Sequence, residues 1–163
     1  MRRFNYSFGY LVLTVLFCFR VGSLFGQSKD SLPDFTFVSP DGLKVSAADF
    51  DNGKPLVVFY FDPTCAHCKE QAEWVAFEID KFQWVDLLWV AWAATDGIPD
   101  FNDQYFPQTE NVFYAIDTEA QFDDLFGFCQ IPTVFAYSAE GQLLRKFKGG
   151  IRVSKLLKTL GLR

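Results

Sequence analysis

Six consecutive apolar residues, Leu56 to Phe61, follow a turn at Asp51 to Lys54 and run into Asp62-Pro63-Thr64 and then Cys65-Ala66-His67-Cys68. From Lys69 onward apolar and polar side chains recur at helical spacing, and a second apolar run, Asp86 to Ala93, comes after them. A buried strand, a helix from Ala66 to about Phe82 and another buried strand predict a βαβ unit with parallel strands. The two cysteines therefore sit at a strand-to-helix junction. There the first meets the unpaired N–H groups and positive dipole end of the helix, which favour thiolate over thiol. A thiolate is the attacking species in disulfide exchange, so the pair is a candidate redox centre.

Neighbouring residues weigh the other uses of a CxxC. Attachment of a c-type haem needs histidine directly after the second cysteine, and Lys69 stands there. A structural zinc site wants four Cys or His ligands, yet the sequence has no second CxxC and His67 is its only histidine. A static disulfide across so short a loop would add little stability. The residues thus call for redox chemistry at Cys65 and Cys68, with no metal and no cofactor.

The first residues differ in kind from the rest. Met1-Arg2-Arg3 is a short basic opening, Phe8 to Phe19 is apolar, and Gly22 to Gly26 ends on a small residue before Gln27, which is the layout of a signal peptide. The apolar run falls short of the roughly 20 residues that span a bilayer, so the alternative is an uncleaved N-terminal anchor. Residues 1–26 are accordingly a signal peptide or membrane anchor, with Cys18 part of that segment, and residues 27–163 form one domain. Export, to the periplasm in particular, puts the cysteines where disulfides persist, so the pair either oxidises partners or is kept reduced by a dedicated donor. The 20 phenylalanines foretell a large aromatic core. A formal charge of -5 argues against a nucleic-acid surface. Asp96, Asp100, Asp103, Asp117, Glu119, Asp123 and Asp124 read as a solvated face, because their spacing matches no calcium loop.

Around the βαβ unit, Leu32 to Val38 and Lys44 to Val45 predict an N-terminal hairpin through Pro40-Asp41-Gly42. Thr95 or Asp96 can cap a short helix through Tyr105, Val112 to Ile116 reads as a strand, and Thr118 can cap a helix to Phe126. Thr133 to Tyr137 and Gln142 to Lys148 flank a turn at Ala139-Glu140-Gly141, and Ile151 to Leu160 closes the chain as a helix.

A βαβ half followed by a ββα half, with CxxC after the leading strand and Ile131-Pro132-Thr133 opening the hairpin, resembles the thioredoxin-like superfamily. More closely, the chain is similar to the exported TlpA/ResA-type thiol-disulfide oxidoreductases of the redoxin branch, in its N-terminal hairpin, the inserted helix and strand around Thr95 to Ile116, and Lys148-Gly149-Gly150 before the last helix. The resemblance implies an α/β fold with a central mixed sheet flanked by helices, and a cis peptide bond at Pro132. It also implies an enzyme that exchanges the dithiol or disulfide with protein partners, reduction being favoured over oxidation, as a monomer served by a redox donor protein. Cys65 would attack and Cys68 resolve. His67 would modulate the pair, and Ile131 would lend backbone groups to an extended substrate beside Pro132 and Thr133.

The sequence departs from that pattern. Thr64 and Ala66-His67 replace a common tryptophan and proline, and the family's buried acid falls on Phe59, which leaves Asp62 and Glu70 as substitutes. Two other readings stay open. A peroxiredoxin-like thiol peroxidase would use Cys65 after Pro63 and Thr64, and a copper-binding redoxin-fold chaperone would need a CxxxC and a distant histidine. Cys129, three residues before Pro132, reads as a small packed hydrophobe, on a loop expected to face the redox pair.

Overall fold

The computed structural model describes residues 30–92 and 96–162. The signal or anchor segment at 1–26, with Cys18, lies outside the described residues, as do Ala93 and the helix cap at Thr95. Among the described residues no helix is long and apolar enough to cross a membrane.

Seven strands form one mixed sheet. They are β1 (Thr36–Val38), β2 (Lys44–Ser46), β3 (Leu56–Phe61), β4 (Asp86–Trp92), β5 (Val112–Asp117), β6 (Thr133–Tyr137) and β7 (Leu143–Lys148). Their order across the sheet is β2-β1-β5-β4-β3-β6-β7. The three central strands β5, β4 and β3 run parallel, while β6 and β7 pair antiparallel on one side. The β1–β2 hairpin attaches on the other side through Val38 and Ile116. A central parallel strand is covered on both faces, which is why all six residues of β3 are buried and read as an unbroken apolar run.

Among the described residues four α-helices cover the sheet: α1 (Ala66–Phe77), α2 (Ile98–Tyr105), α3 (Phe122–Phe126) and α4 (Val153–Thr159). Alternate residues of β3 and β4 divide the core. Val57, Phe59, Phe61, Leu87 and Trp89 pack with α1, α2 and α4, whereas Val58, Tyr60, Leu88 and Val90 pack with α3, Phe35, Phe37 and Phe50. Aromatic pairs, one across strands and one from strand to helix, tighten both layers. Phe59 stacks on Trp89 with ring centroids 4.1 Å apart, and Tyr60 stacks on Phe122 at 3.9 Å.

Several boundaries differ from those the sequence suggests. The helix after the cysteines stops at Phe77, and a separate 3-10 turn over Ile79–Phe82 follows. That turn sinks Phe82 fully into the core and lets the Asn111 side chain donate to the carbonyls of Phe82 and Val85, each at 2.8 Å. The first strand is only three residues long, from Thr36. Thr118 does not cap α3. Gln121 holds the N-cap position, and the Asp117 carboxylate accepts from the N–H groups of Gln121 at 2.9 Å and Phe122 at 3.0 Å. Asp117 is therefore buried and leaves the solvated acidic face to the other six residues, which are exposed.

Candidate active site

The loop from β3 into α1 is built by Asp62. Its Oδ1 accepts from the Thr64 N–H and Oγ1, each at 2.6 Å, and its carbonyl accepts from the Cys65 N–H at 3.1 Å. This turn reverses the chain so that Cys65 takes the N-cap of α1 in extended conformation. The Cys65 carbonyl accepts from Cys68 and Lys69, leaving the N–H groups of Ala66 and His67 without a partner among the described residues. Cys65 thus stands at the electropositive end of a 12-residue helix.

The two thiols differ in setting. Cys65 is half-buried, while Cys68, one helical turn on, is 0% exposed and faces the core with Ala72 and Val75. Both are thiols. Burial pushes the Cys68 thiol up to about 12, a hydrogen bond with the Asp62 main chain pulls it down, and the neighbouring Cys65 side chain, within hydrogen-bonding reach, raises it again. At pH 8 only about one Cys68 in 10⁴ would be thiolate. Alkylation of the reduced protein should therefore label Cys65 and spare Cys68, by a rate ratio on the order of 10² or more at pH 7. Peptide mapping after a timed iodoacetamide pulse checks this, and equal labelling would contradict it.

His67 is exposed, with its Nδ1 3.8 Å from Glu70 Oε2. Glu70 is exposed, and of the two candidate acids Asp62 is the one whose field reaches Cys68. Across the sheet, Thr133 pairs with Tyr60, which places Ile131 and Pro132 just beyond the end of β3 from which the cysteine loop springs. The Ile131–Pro132 bond is cis. Thr133 is buried, its hydroxyl donating to the Gln130 carbonyl, and the Pro132 carbonyl accepts from Gly149 at 2.9 Å. The Ile131 side chain is half-buried and touches both core layers.

Cys129 is the small packed hydrophobe that the sequence suggests, but in the core layer away from the redox pair. It packs with Phe122, Phe126, Phe135 and Tyr137 in the layer on the opposite face of the sheet from Cys68, and its thiol donates to the Gly127 carbonyl at 2.8 Å. Three residues of separation from Pro132 are enough for the chain to cross the sheet end. Cys129→Ser should keep disulfide exchange within about three-fold and cost roughly 1 kcal/mol, since the hydroxyl can still donate to Gly127. A turnover assay paired with thermal melting checks both.

Gln71 is the site residue that sequence reasoning missed. Wholly buried on α1, its Nε2 donates to the Ile151 carbonyl at 3.1 Å and its Oε1 accepts from the Ile151 N–H at 2.6 Å. Gly150 fits against it closely: a Cβ there would lie 3.4 Å from Oε1. A polar residue on the inward stripe of the helix was the available signal.

No family model and no curated protein matches the chain. Solved structures do. The Mycobacterium tuberculosis protein DsbF, in mixed oxidised and reduced forms, superposes with a TM-score of 0.67 at 21% identity, over 78% of this chain and 93% of that one. A secreted M. tuberculosis disulfide oxidoreductase, described as homologous to E. coli DsbE, gives 0.66 at 18% identity, over 78% and 95%. The exposed lipoprotein thioredoxin Etrx1 of Streptococcus pneumoniae gives 0.61 at 20% identity, over 78% and 98%. Likeness at these identities is likeness of fold.

Proposed function

We propose that this chain, which has the thioredoxin-like fold, is an exported thiol-disulfide oxidoreductase acting on protein partners. The observation that carries the reading is the asymmetry of the pair. A half-exposed Cys65 stands at a helix N-terminus, next to a buried Cys68 held about 12. Cys65 as thiolate attacks a partner disulfide, forming a mixed disulfide and releasing one partner thiolate. Cys68 then loses its proton and attacks Cys65 Sγ, closing the Cys65–Cys68 disulfide and releasing the second partner thiolate. Two electrons pass to the partner.

The second step is eased by the first. Once Cys65 is bonded to the partner, its contact no longer holds the Cys68 proton, while the Asp62 main chain still stabilises the emerging thiolate. Asp62, the carboxylate whose field reaches Cys68, would accept that proton. His67, when protonated, adds positive charge beside Cys65 and favours the reduced pair, with Glu70 as its counter-ion. Ile131 and Thr133 flank Pro132 at the sheet end where an extended partner segment would lie. A redox donor protein would return the pair to the dithiol, and the chain would work as a monomer.

Periplasmic export rests on the basic and apolar opening of the sequence. The secreted and surface-exposed settings of the M. tuberculosis and S. pneumoniae proteins support it. Reduction of insulin disulfides driven by dithiothreitol tests the activity. Catalysis well above the dithiothreitol background is expected. Consumption of hydrogen peroxide without disulfide exchange would return the peroxidase reading in its place.

A further inference from the structure

We propose that the groove between α1 and the start of α4 docks a cationic stretch of the protein whose disulfide Cys65 attacks, with one large apolar side chain seated between Trp74 and Phe77. The identity of that partner rests on the function proposed above. The groove itself does not. It has a volume of about 570 Å³ and is walled by Glu70, Glu73, Trp74, Phe77 and Glu78 on the α1 side and by Arg152 opposite.

Two features mark it as a surface built for contact. Phe77 is 90% exposed and Trp74 is 37% exposed, side by side on a helix whose other face is core. His67, Glu70, Trp74 and Phe77 follow one another at spacings of three, four and three, so a single stripe runs down α1 from the redox pair to the groove. Twelve residues of helix from Cys65 to Phe77 make roughly 18 Å, which five or six residues of extended chain cover. A partner held at Cys65 can therefore reach the groove with a segment about six residues from its own cysteine.

Charge selects the occupant. Lys81 pairs with Glu78 and His67 faces Glu70, but Glu73 has no ion-pair partner among the described residues, and Arg152 is the one guanidinium in the walls. An acidic groove on a chain of net charge -5 repels a second copy and attracts a basic segment. Lysine stems would lie along Trp74 and Phe77 with their ammonium groups at Glu70 and Glu73.

The test uses two peptides, each with one cysteine held in mixed disulfide with glutathione and, six residues on, either Lys-Leu-Lys-Lys or Glu-Leu-Glu-Glu. The reduced protein should release glutathione and the peptide thiol while forming its Cys65–Cys68 disulfide. At low salt the lysine peptide should react on the order of tenfold faster in kcat/KM, with the advantage largely lost at high salt. Glu73→Lys and Phe77→Ala should each cut the advantage to about threefold or less, with the rate on oxidised glutathione unchanged. Equal rates for the two peptides, or an advantage that survives both substitutions, would overturn the docking groove. The same peptides with serine in place of cysteine bind without chemistry, and calorimetry should show the lysine form binding about tenfold tighter. No difference there overturns the groove, whereas loss of all exchange, oxidised glutathione included, overturns the oxidoreductase reading instead. Dimerisation abolished by Phe77→Ala would assign the groove to a second copy and also overturn the proposal.

Discussion

Cys65→Ser should lower catalysed disulfide exchange by on the order of 10³-fold or more, whereas Cys68→Ser should keep the first attack and stop at a mixed disulfide with the partner. The difference follows from where the two sulfurs sit. Cys65 alone has an exposed face, and Cys68 is wholly buried one turn further into the core. Replacing the first removes the only thiol a partner can meet at the helix end. Replacing the second removes the group that expels the partner, so the covalent adduct accumulates and is released by added dithiothreitol. Mass spectrometry of each variant after incubation with a disulfide substrate reads the outcome: an adduct on Cys68→Ser and none on Cys65→Ser. Adducts on Cys65→Ser at Cys68 would reverse the assignment.

Gln71→Ala should destabilise the fold by roughly 2–6 kcal/mol. The substitution strips partners from both the N–H and the carbonyl of Ile151 at a buried position, and each unsatisfied buried group costs about 1–3 kcal/mol. For a domain of this size that lowers the melting temperature by on the order of 10 °C. The effect extends to function, because Gln71 lies one turn beyond Cys68 and fastens α1 to the segment leading into α4. Gln71→Ala should therefore also lose exchange activity below its melting temperature, by a few-fold, as the helix that presents Cys65 loosens. A variant with wild-type melting would show that water replaces the amide at no cost.

The sequence carried the centre of this molecule more clearly than its periphery, for a physical reason. Leu56 to Phe61 and Asp86 to Trp92 are strands buried on both faces, and such strands demand long apolar runs that nothing else in a small domain requires. The cysteine spacing then marks the strand-to-helix junction. What stayed hidden depends on side chains finding distant backbone. Asp117 looks like one more surface acid until α3 folds back so that its N–H groups meet the carboxylate. Gln71 looks like helix filler until Ile151, 80 residues away, closes on it. Cys129 is legible as a packed hydrophobe, but its distance along the chain from Pro132 says nothing of which face of the sheet it enters. The early stop of α1 at Phe77 likewise reflects Phe82, which reaches the core only if the chain changes to a tighter turn.

Exchange with partners requires that Cys65 and Cys68 interconvert reversibly between dithiol and disulfide. A redox titration of the pair in glutathione or dithiothreitol buffers, read by mass after thiol trapping, tests this most directly. One reversible two-electron transition is expected, confined to Cys65 and Cys68, with a midpoint inside the span of about -270 to -120 mV covered by enzymes that exchange disulfides. A pair that stays reduced across that range, or that oxidises only irreversibly to sulfinic acid at Cys65, would contradict it.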